Sequence, residues 1–471
     1  MTKAQGNHGW AAAIGAAILI MLSAVAAPAQ DTVTFATLHS FQNEDGANPY
    51  SALVQGTDGH LYGTTVHGGD NGYGTIFKIS TTGRLTTIYR FCSLGGCADG
   101  ANPFGGLILA SDGNFYGTTS SGGAYGVCGT VFKITPSGTL TTLHNFDCID
   151  GSDPYGALVQ GTDGDFYGTT VSGGGYGYGT VFKISVGGAL TTLHSFDSVD
   201  GADPYAGLVE GTDGNFYGTT TFGGYFGTIF KMTPAGNLTT LYSFTGGNDG
   251  EDPVAPLIQA ADGDFYGTTP SSGTSNGTIF KITTGGMLST VYDFKIGGDN
   301  GGLPQGGLIQ ATDGNFYGTT AFNGSGTCNL GCGTVFEVTP GGTLTTLHTF
   351  NVTNGATPDA GLLQDTNGNL YGATFAGGAG GYGTIFELKV GLGPFVETAP
   401  EFGKVKASVS ILGSDLTGST SVTFNGTSAT FRVISGARIF ATVPVGATTG
   451  LVQVVTPNGT LTSDVNFQVL P

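Results

Sequence analysis

The sequence predicts an all-β chain: a seven-bladed β-propeller of four-stranded antiparallel blades over residues 31–391, closed by its own N-terminal strand, then a small immunoglobulin-like β-sandwich. Three observations carry this reading. The octapeptide DGNFYGTT at residues 213–220 recurs at 112–119 and 313–320, with near copies elsewhere. Its Tyr-Gly therefore falls at Tyr62, Tyr116, Tyr167, Tyr217, Tyr266, Tyr317 and Tyr371. These positions are 54, 51, 50, 49, 51 and 54 residues apart, the period of a propeller blade or similar unit. Composition agrees: 87 glycines, plentiful Tyr, Phe, Val, Ile and Thr, and only 10% charged residues suit short strands and tight turns, not helices.

From the N-terminus, Lys3, an apolar run at residues 10–27 and the small residues Ala27-Pro28-Ala29 read as a secretion signal over residues 1–29. A single membrane anchor is the competing reading of that run. The mature chain is expected to be a monomer, secreted or at the cell surface, and not membrane-spanning. Residues 207–257 show the repeat in full: GLVEGT, a turn at Asp213-Gly214, NFYGTTTFGG, a Gly/Tyr loop, GTIFKMTP, a turn at Ala235-Gly236, and NLTTLYSF. Asp-Gly and Asn-Gly accept the positive φ of tight hairpin turns, and alternation in TVFKIT and LTTLHSF puts apolar side chains on one face. Each repeat thus codes a four-stranded meander. Only six fourth strands follow a third strand, and VTFATLHSF at residues 33–41 matches LTTLHSF at 190–196, so the N-terminal strand supplies the seventh.

The unit GLVxGTDGNFYGTTxxGG...GTVFKITPxGxLTTLHSF resembles the GloVer tandem repeat, and this resemblance implies an exported repeat protein with no established catalytic residues. Residues 392–401 have the Gly/Pro content of a linker. After them, ILGSDLTGSTSVTFNGTSATF (411–431), ATVPVGATTG (441–450) and VQVVTPNG (452–459) resemble the IPT/TIG immunoglobulin-like domain, here over 402–471. That resemblance implies a spacer or adhesion module.

A formal charge of -19 with scattered Lys and Arg excludes nucleic acid as a main partner. Six cysteines, Cys92, Cys97, Cys128, Cys148, Cys328 and Cys332, are an even count in an exported chain and favour disulfides, with zinc the competing reading of CNLGC. All six fall in or beside loops of one face, where the fourth-to-first and second-to-third connections also vary in length. That face is where binding is expected.

On it, a DGxxP loop precedes each first strand and brings Tyr50, Phe104, Tyr155 and Tyr205, aromatics able to stack on sugar rings beside hydroxyl-accepting Asp and Asn. The plainer reading of such repeated residues is packing and Asx-turn chemistry. Asp147, Asp150 and Asp153, then Asp197, Asp200 and Asp203, give carboxylates at spacing three. Calcium is the one cofactor such loops suggest, against ordinary solvated turns. His39, His144, His194 and His348 share a position with Tyr89, Tyr242 and Tyr292, an exchange that argues packing. His60, His67 and Glu210 are the departures to test for chemistry. No nucleophile elbow, HExxH or Walker sequence is present, and SGGGYGYGT at 172–180 leads into a strand, not a helix. The expected function is non-enzymatic binding of an extracellular glycan or surface protein. The alternatives are a polysaccharide hydrolase or lyase, or a structural envelope protein.

Overall fold

The computed structural model describes residues 33–324, 328 and 331–471, so the segment read as a secretion signal lies outside the described residues. Among the described residues every element is a strand, apart from one 3-10 turn at Gly95–Cys97. No helix there is long and apolar enough to cross a membrane. After β1 (Thr34–Ser40), the first repeat gives β2 (Val54–Gln55), β3 (Leu61–Thr65), β4 (Thr75–Ile79) and β5 (Leu85–Arg90), hydrogen-bonded in that order. Five further repeats copy this sheet. The last repeat supplies only Leu363–Gln364, Leu370–Thr374 and Thr384–Lys389, and β1 pairs antiparallel with Thr384–Lys389 as the expected fourth strand. The register confirms the equivalence: Thr37 and His39 lie opposite Phe386 and Ile385 across a bulge, as Thr192 and His194 lie opposite Phe182 and Val181.

The first strand of each sheet is shorter than GLVEGT suggests, only Val209–Glu210 in the fourth repeat. The small residues ahead of it press backbone against the neighbouring sheet; a Cβ on Gly156 would stand 2.6 Å from the Gly207 nitrogen. Chain packed in that way lies against the neighbouring sheet.

The octapeptide holds sheet to sheet. Tyr217 is buried with its ring 4.0 Å from that of Phe265 in the next sheet, and Tyr62, Tyr116, Tyr167 and Tyr266 stack on Phe115, Phe166, Phe216 and Phe316 in the same way. A buried phenol needs a polar partner. The Tyr217 hydroxyl donates to Asp213 at 2.9 Å, and Lys231 Nζ donates to the same carboxylate at 2.7 Å. Burial pushes Asp213 up, but Lys231, Asn215 and Tyr217 outweigh it and hold the carboxyl down at about 2. Gly218 is required beside Tyr217 because a Cβ there would meet the Phe230 ring at 2.6 Å. Equivalent contacts join the last repeat to the first: Phe41, Leu53, Leu61, Phe77, Tyr371 and Ile385 share one apolar core, and Gln55 Nε2 donates to Thr366 Oγ1 at 2.9 Å.

Beyond residue 391 the pairing changes. Val396–Ala399, Ser408–Gly413, Arg438–Thr442 and Phe431–Ser435 make one sheet, and Thr427–Ser428, Ser421–Phe424, Val452–Thr456 and Gly459–Thr462 a second. They share a core that includes Val396, Ile411, Phe424, Ile439, Val454 and Phe467. The expected linker is corrected here. Val396–Ala399 pairs with Ser408–Gly413 because its alternating residues bury Val396 and Thr398. The sandwich meets the turn side of the repeats, where Phe395 N donates to Thr366 O and Gly59 lies against Ala437.

The Tyr217 contacts set a stability expectation. Tyr217→Phe, which keeps the ring stack, is expected to cost about 0.5–1.5 kcal/mol in chemical denaturation, and Tyr217→Ala about 3–5 kcal/mol. Equal losses in the two variants would place the hydrogen bond, not the stack, at the centre of the interface.

Candidate functional site

The DGxxP loop is built by its aspartate. Asp45 Oδ1 accepts from Gln42 N at 2.9 Å, Oδ2 faces His39 Nε2 at 2.8 Å, and the Asp45 carbonyl accepts from Thr75 and Thr87 hydroxyls. Asp150 pairs with His144 and Asp200 with His194, while Tyr89 and Tyr242 donate to Asp99 and Asp249. In the last two loops an amide takes the place of the acid: Asn300 Nδ2 donates to the Tyr292 hydroxyl at 2.9 Å, and Asn354 meets His348 at 3.2 Å, where burial pushes His348 down to about 4. The His/Tyr exchange is therefore structural, as expected: either ring anchors the loop.

Next comes a residue with positive φ directly before the proline. It is Asn48, Asn102, Asp153, Asp203, Asp252, Leu303 and Thr357 in turn, all at φ 51–58°. Asn and Asp tolerate this conformation, whereas Leu and Thr are strained in it. Asn48 also crosses to the preceding sheet, its N and Nδ2 donating to the carbonyls of Tyr382 and Phe375 at 2.8 and 2.9 Å.

This fixed bend delivers the residue after the proline. The four predicted aromatics are brought together: ring centroids are 5.5 Å apart for Tyr50 and Phe104, 4.5 Å for Phe104 and Tyr155, and 5.4 Å for Tyr155 and Tyr205. Phe375 extends the arc at 6.1 Å from Tyr50. In the other three repeats the position holds Val254, Gln305 and Asp359, and all seven residues are half-buried. Asp359 is the member that sequence reasoning missed. It is legible once the residue after the loop proline is read down all seven repeats, since the last two, GLPQ and ATPD, depart from the aromatic pattern. Its Oδ1 is buried without a hydrogen-bond partner, and burial pushes the carboxyl up to about 7. Burial, then Asp359, Tyr155 and Tyr205, push Tyr50 up to about 12.

The two predicted aspartate trios are divided between jobs. Asp147 Oδ1 accepts from Ile149 N and Asp150 N, and Asp197 Oδ1 accepts from Val199 N and Asp200 N; these backbone donors hold both carboxyls down. Asp150 and Asp200 anchor the loops as above. Asp153 and Asp203 belong to the bend beside Tyr155 and Tyr205, where burial pushes both up. Among the described residues no three His, Cys, Asp or Glu side chains converge as a cation cage requires, so the calcium expectation finds no preformed site in these loops.

The cysteines pair as Cys92–Cys97, Cys128–Cys148 and Cys328–Cys332, which answers the zinc reading of CNLGC. Glu210 is an interface residue: its carboxylate accepts from Thr162 N and Oγ1 at 2.9 and 2.8 Å. His60 stays at the turn, 3.5 Å from Asp58, and burial pushes His67 down. On the loop face, Tyr125, Tyr176 and Tyr225 of the glycine-rich loops are 62%, 67% and 87% exposed.

Asp359 sets a pH dependence. Its folded pKa, about 7, lies above the ordinary 3.8, so the folded state holds the proton more tightly than the unfolded chain. The stability this gives is complete below pH 3.8 and is lost as pH rises through 7. Asp359→Asn is therefore expected to match the parent in thermal unfolding at pH 3.5 and to exceed it at pH 8. A constant difference across that range would show that Asp359 titrates normally.

Solved structures similar in fold include a candidate 6-phosphogluconolactonase of Bacteroides uniformis, 20% identical with TM-score 0.46, covering 67% of this chain and 89% of that one. A candidate gluconolactonase is 12% identical with TM-score 0.39, over 77% of this chain and 94% of its own. A luciferin-regenerating enzyme is 11% identical with TM-score 0.40, over 61% and 92%. No curated protein matches the sequence. The Gloeobacter/Verrucomicrobia repeat matches residues 25–226 and 225–440, most of the chain and every one of its Tyr-Gly repeats. The chain thus belongs to the Gloeobacter/Verrucomicrobia repeat family.

Proposed function

We propose that this is an exported, non-enzymatic binding protein in which the seven repeat sheets close into a seven-bladed β-propeller. Its loop-face mouth holds an extracellular glycan, and an IPT/TIG-type sandwich serves as spacer. The observation that carries the binding reading is the arc of Tyr50, Phe104, Tyr155 and Tyr205, four half-buried rings from four different sheets in mutual contact. Interior packing would bury such rings, whereas a platform for a sugar face keeps them accessible. The exposed tyrosines on the same face and three disulfides bracing its loops support an outward-facing role. Closure is supported by β1 in the last sheet and by the core shared between last and first repeats. The sandwich meets the opposite, turn side and leaves the arc uncovered.

Asp359 is the one observation that favours a hydrolytic reading. A carboxyl still protonated near neutral pH is a general acid, but glycoside cleavage also needs a second carboxylate about 5–10 Å away as base or nucleophile.

The deciding experiment incubates the full chain with insoluble polysaccharides and assays both retention and released sugar. Retention without release is expected, and Phe104→Ala and Tyr155→Ala should each weaken it about tenfold or more, the effect of losing a central aromatic anchor. Sugar release that disappears in Asp359→Asn would replace the binding reading with hydrolysis. For closure, deletion of residues 33–40 uncovers the edge of Thr384–Lys389 and is expected to give self-association in light scattering. A monomer as stable as the parent would count against a sealed ring.

A further inference from the structure

We infer that the mouth selects a cationic ligand, a glycan carrying free amino groups, whose ammonium sits against Asp359 while its ring lies on the aromatic arc. This deepens the glycan-binding reading and rests on it. Three features of the mouth point to a positive charge supplied from outside.

The first is the orphaned acid. Asp359 Oδ1 is buried, accepts no hydrogen bond and stands beside Tyr50. An uncompensated buried carboxylate is costly, and a cation relieves that cost more fully than a neutral hydroxyl. The second is the absence of an internal partner. Burial alone acts on Asp359, and among the described residues no Lys, Arg or His acts on it or on Asp153, Asp203 or Asp252, the acids of the third, fourth and fifth bends. The repeat lysines are committed elsewhere: Lys78, Lys133, Lys183, Lys231 and Lys281 bind the turn aspartates on the other side of the sheets. The third is the aromatic wall. Tyr and Phe faces attract cations through their quadrupole, most strongly where water is excluded, and Tyr50, which stands beside the acid, leads into the arc of Phe104, Tyr155 and Tyr205.

The test uses three soluble tetramers with the same linkage, of glucosamine, N-acetylglucosamine and glucose, titrated into the full chain by calorimetry at a pH where the free amines are protonated. Short ligands are chosen because a polycation would adhere to any chain of net charge -19. The glucosamine tetramer is expected to bind about tenfold tighter than the other two, the size of one charge-assisted contact. Asp359→Asn should erase that preference, lowering the ratio of glucosamine to glucose tetramer affinity about tenfold, and Phe104→Ala should weaken all three. Equal or tighter binding of the acetylated or glucose tetramer would overturn the inference and leave glycan binding standing. A preference that survives Asp359→Asn would overturn it too, by assigning selectivity to the diffuse negative field. If none of the three binds, both readings fall.

Discussion

The structure depends on one contact made between sheets, the tyrosine of each octapeptide packed with a phenylalanine ring or a leucine side chain of the next repeat. A four-stranded sheet has two faces to cover and cannot cover either alone, so burial must come from its neighbours. Tyr167 on Phe216 at 3.9 Å supplies the apolar part, and the Asp163–Lys183 pair satisfies the phenol that burial would otherwise strand. The exceptions are compensated locally. In the last repeat Glu387 replaces the lysine and Asn367 the aspartate, so two acids do not face each other across Tyr371. Asn367 Nδ2 donates to the phenol, and the phenol donates to Glu387. The sixth repeat keeps Asp313 against Glu337 and places Asn315 Nδ2 between them.

Because these interfaces fix where each sheet stands, the loops ahead of the first strands inherit a fixed starting point. The positive-φ bend is then the same in every repeat, even where Asn300 and Asn354 replace the anchoring aspartate and where Leu303 and Thr357 are poorly suited to the bend. Strain tolerated at a bulky residue shows that surrounding contacts, not local preference, impose the conformation. One position escapes this constraint, the residue after the proline. It has a defined direction but no interior role to fulfil, and it varies from Tyr and Phe through Val and Gln to Asp.

Much of the fold could be read from the sequence for a physical reason: period-two alternation and Asp-Gly turns are local signals, and the displaced fourth strand betrays itself by repeating LTTLHSF. What could not be read depends on neighbours distant in sequence. The first strands shrink to two residues because Gly156 and Gly207 approach across sheets. Val396–Ala399 looks like a linker until its partner strand, Ser408–Gly413, is in place. At the candidate site the aromatic members were legible as repeated residues, whereas Asp359 was hidden by its departure from the repeat. The division of the aspartate trios was not legible because spacing in sequence does not reveal that Asp147 and Asp197 cap turns while Asp153 and Asp203 lie beside the aromatic arc.

Asp359 is best understood against its own equivalents. Six repeats place Tyr, Phe, Val or Gln after the loop proline, and each of those sheets folds with the same strands and bends, so the position has no structural need of an acid. A buried carboxyl without a donor opposes folding at neutral pH, and all six residues that stand at this position in the other repeats lack that charge. Residues that work against stability while cheaper substitutes are available in the same molecule are usually those on which binding or chemistry depends. Asp359 combines that disadvantage with a place beside Tyr50 at the end of the aromatic arc, and so the proposed ligand would meet its carboxyl as well as the rings.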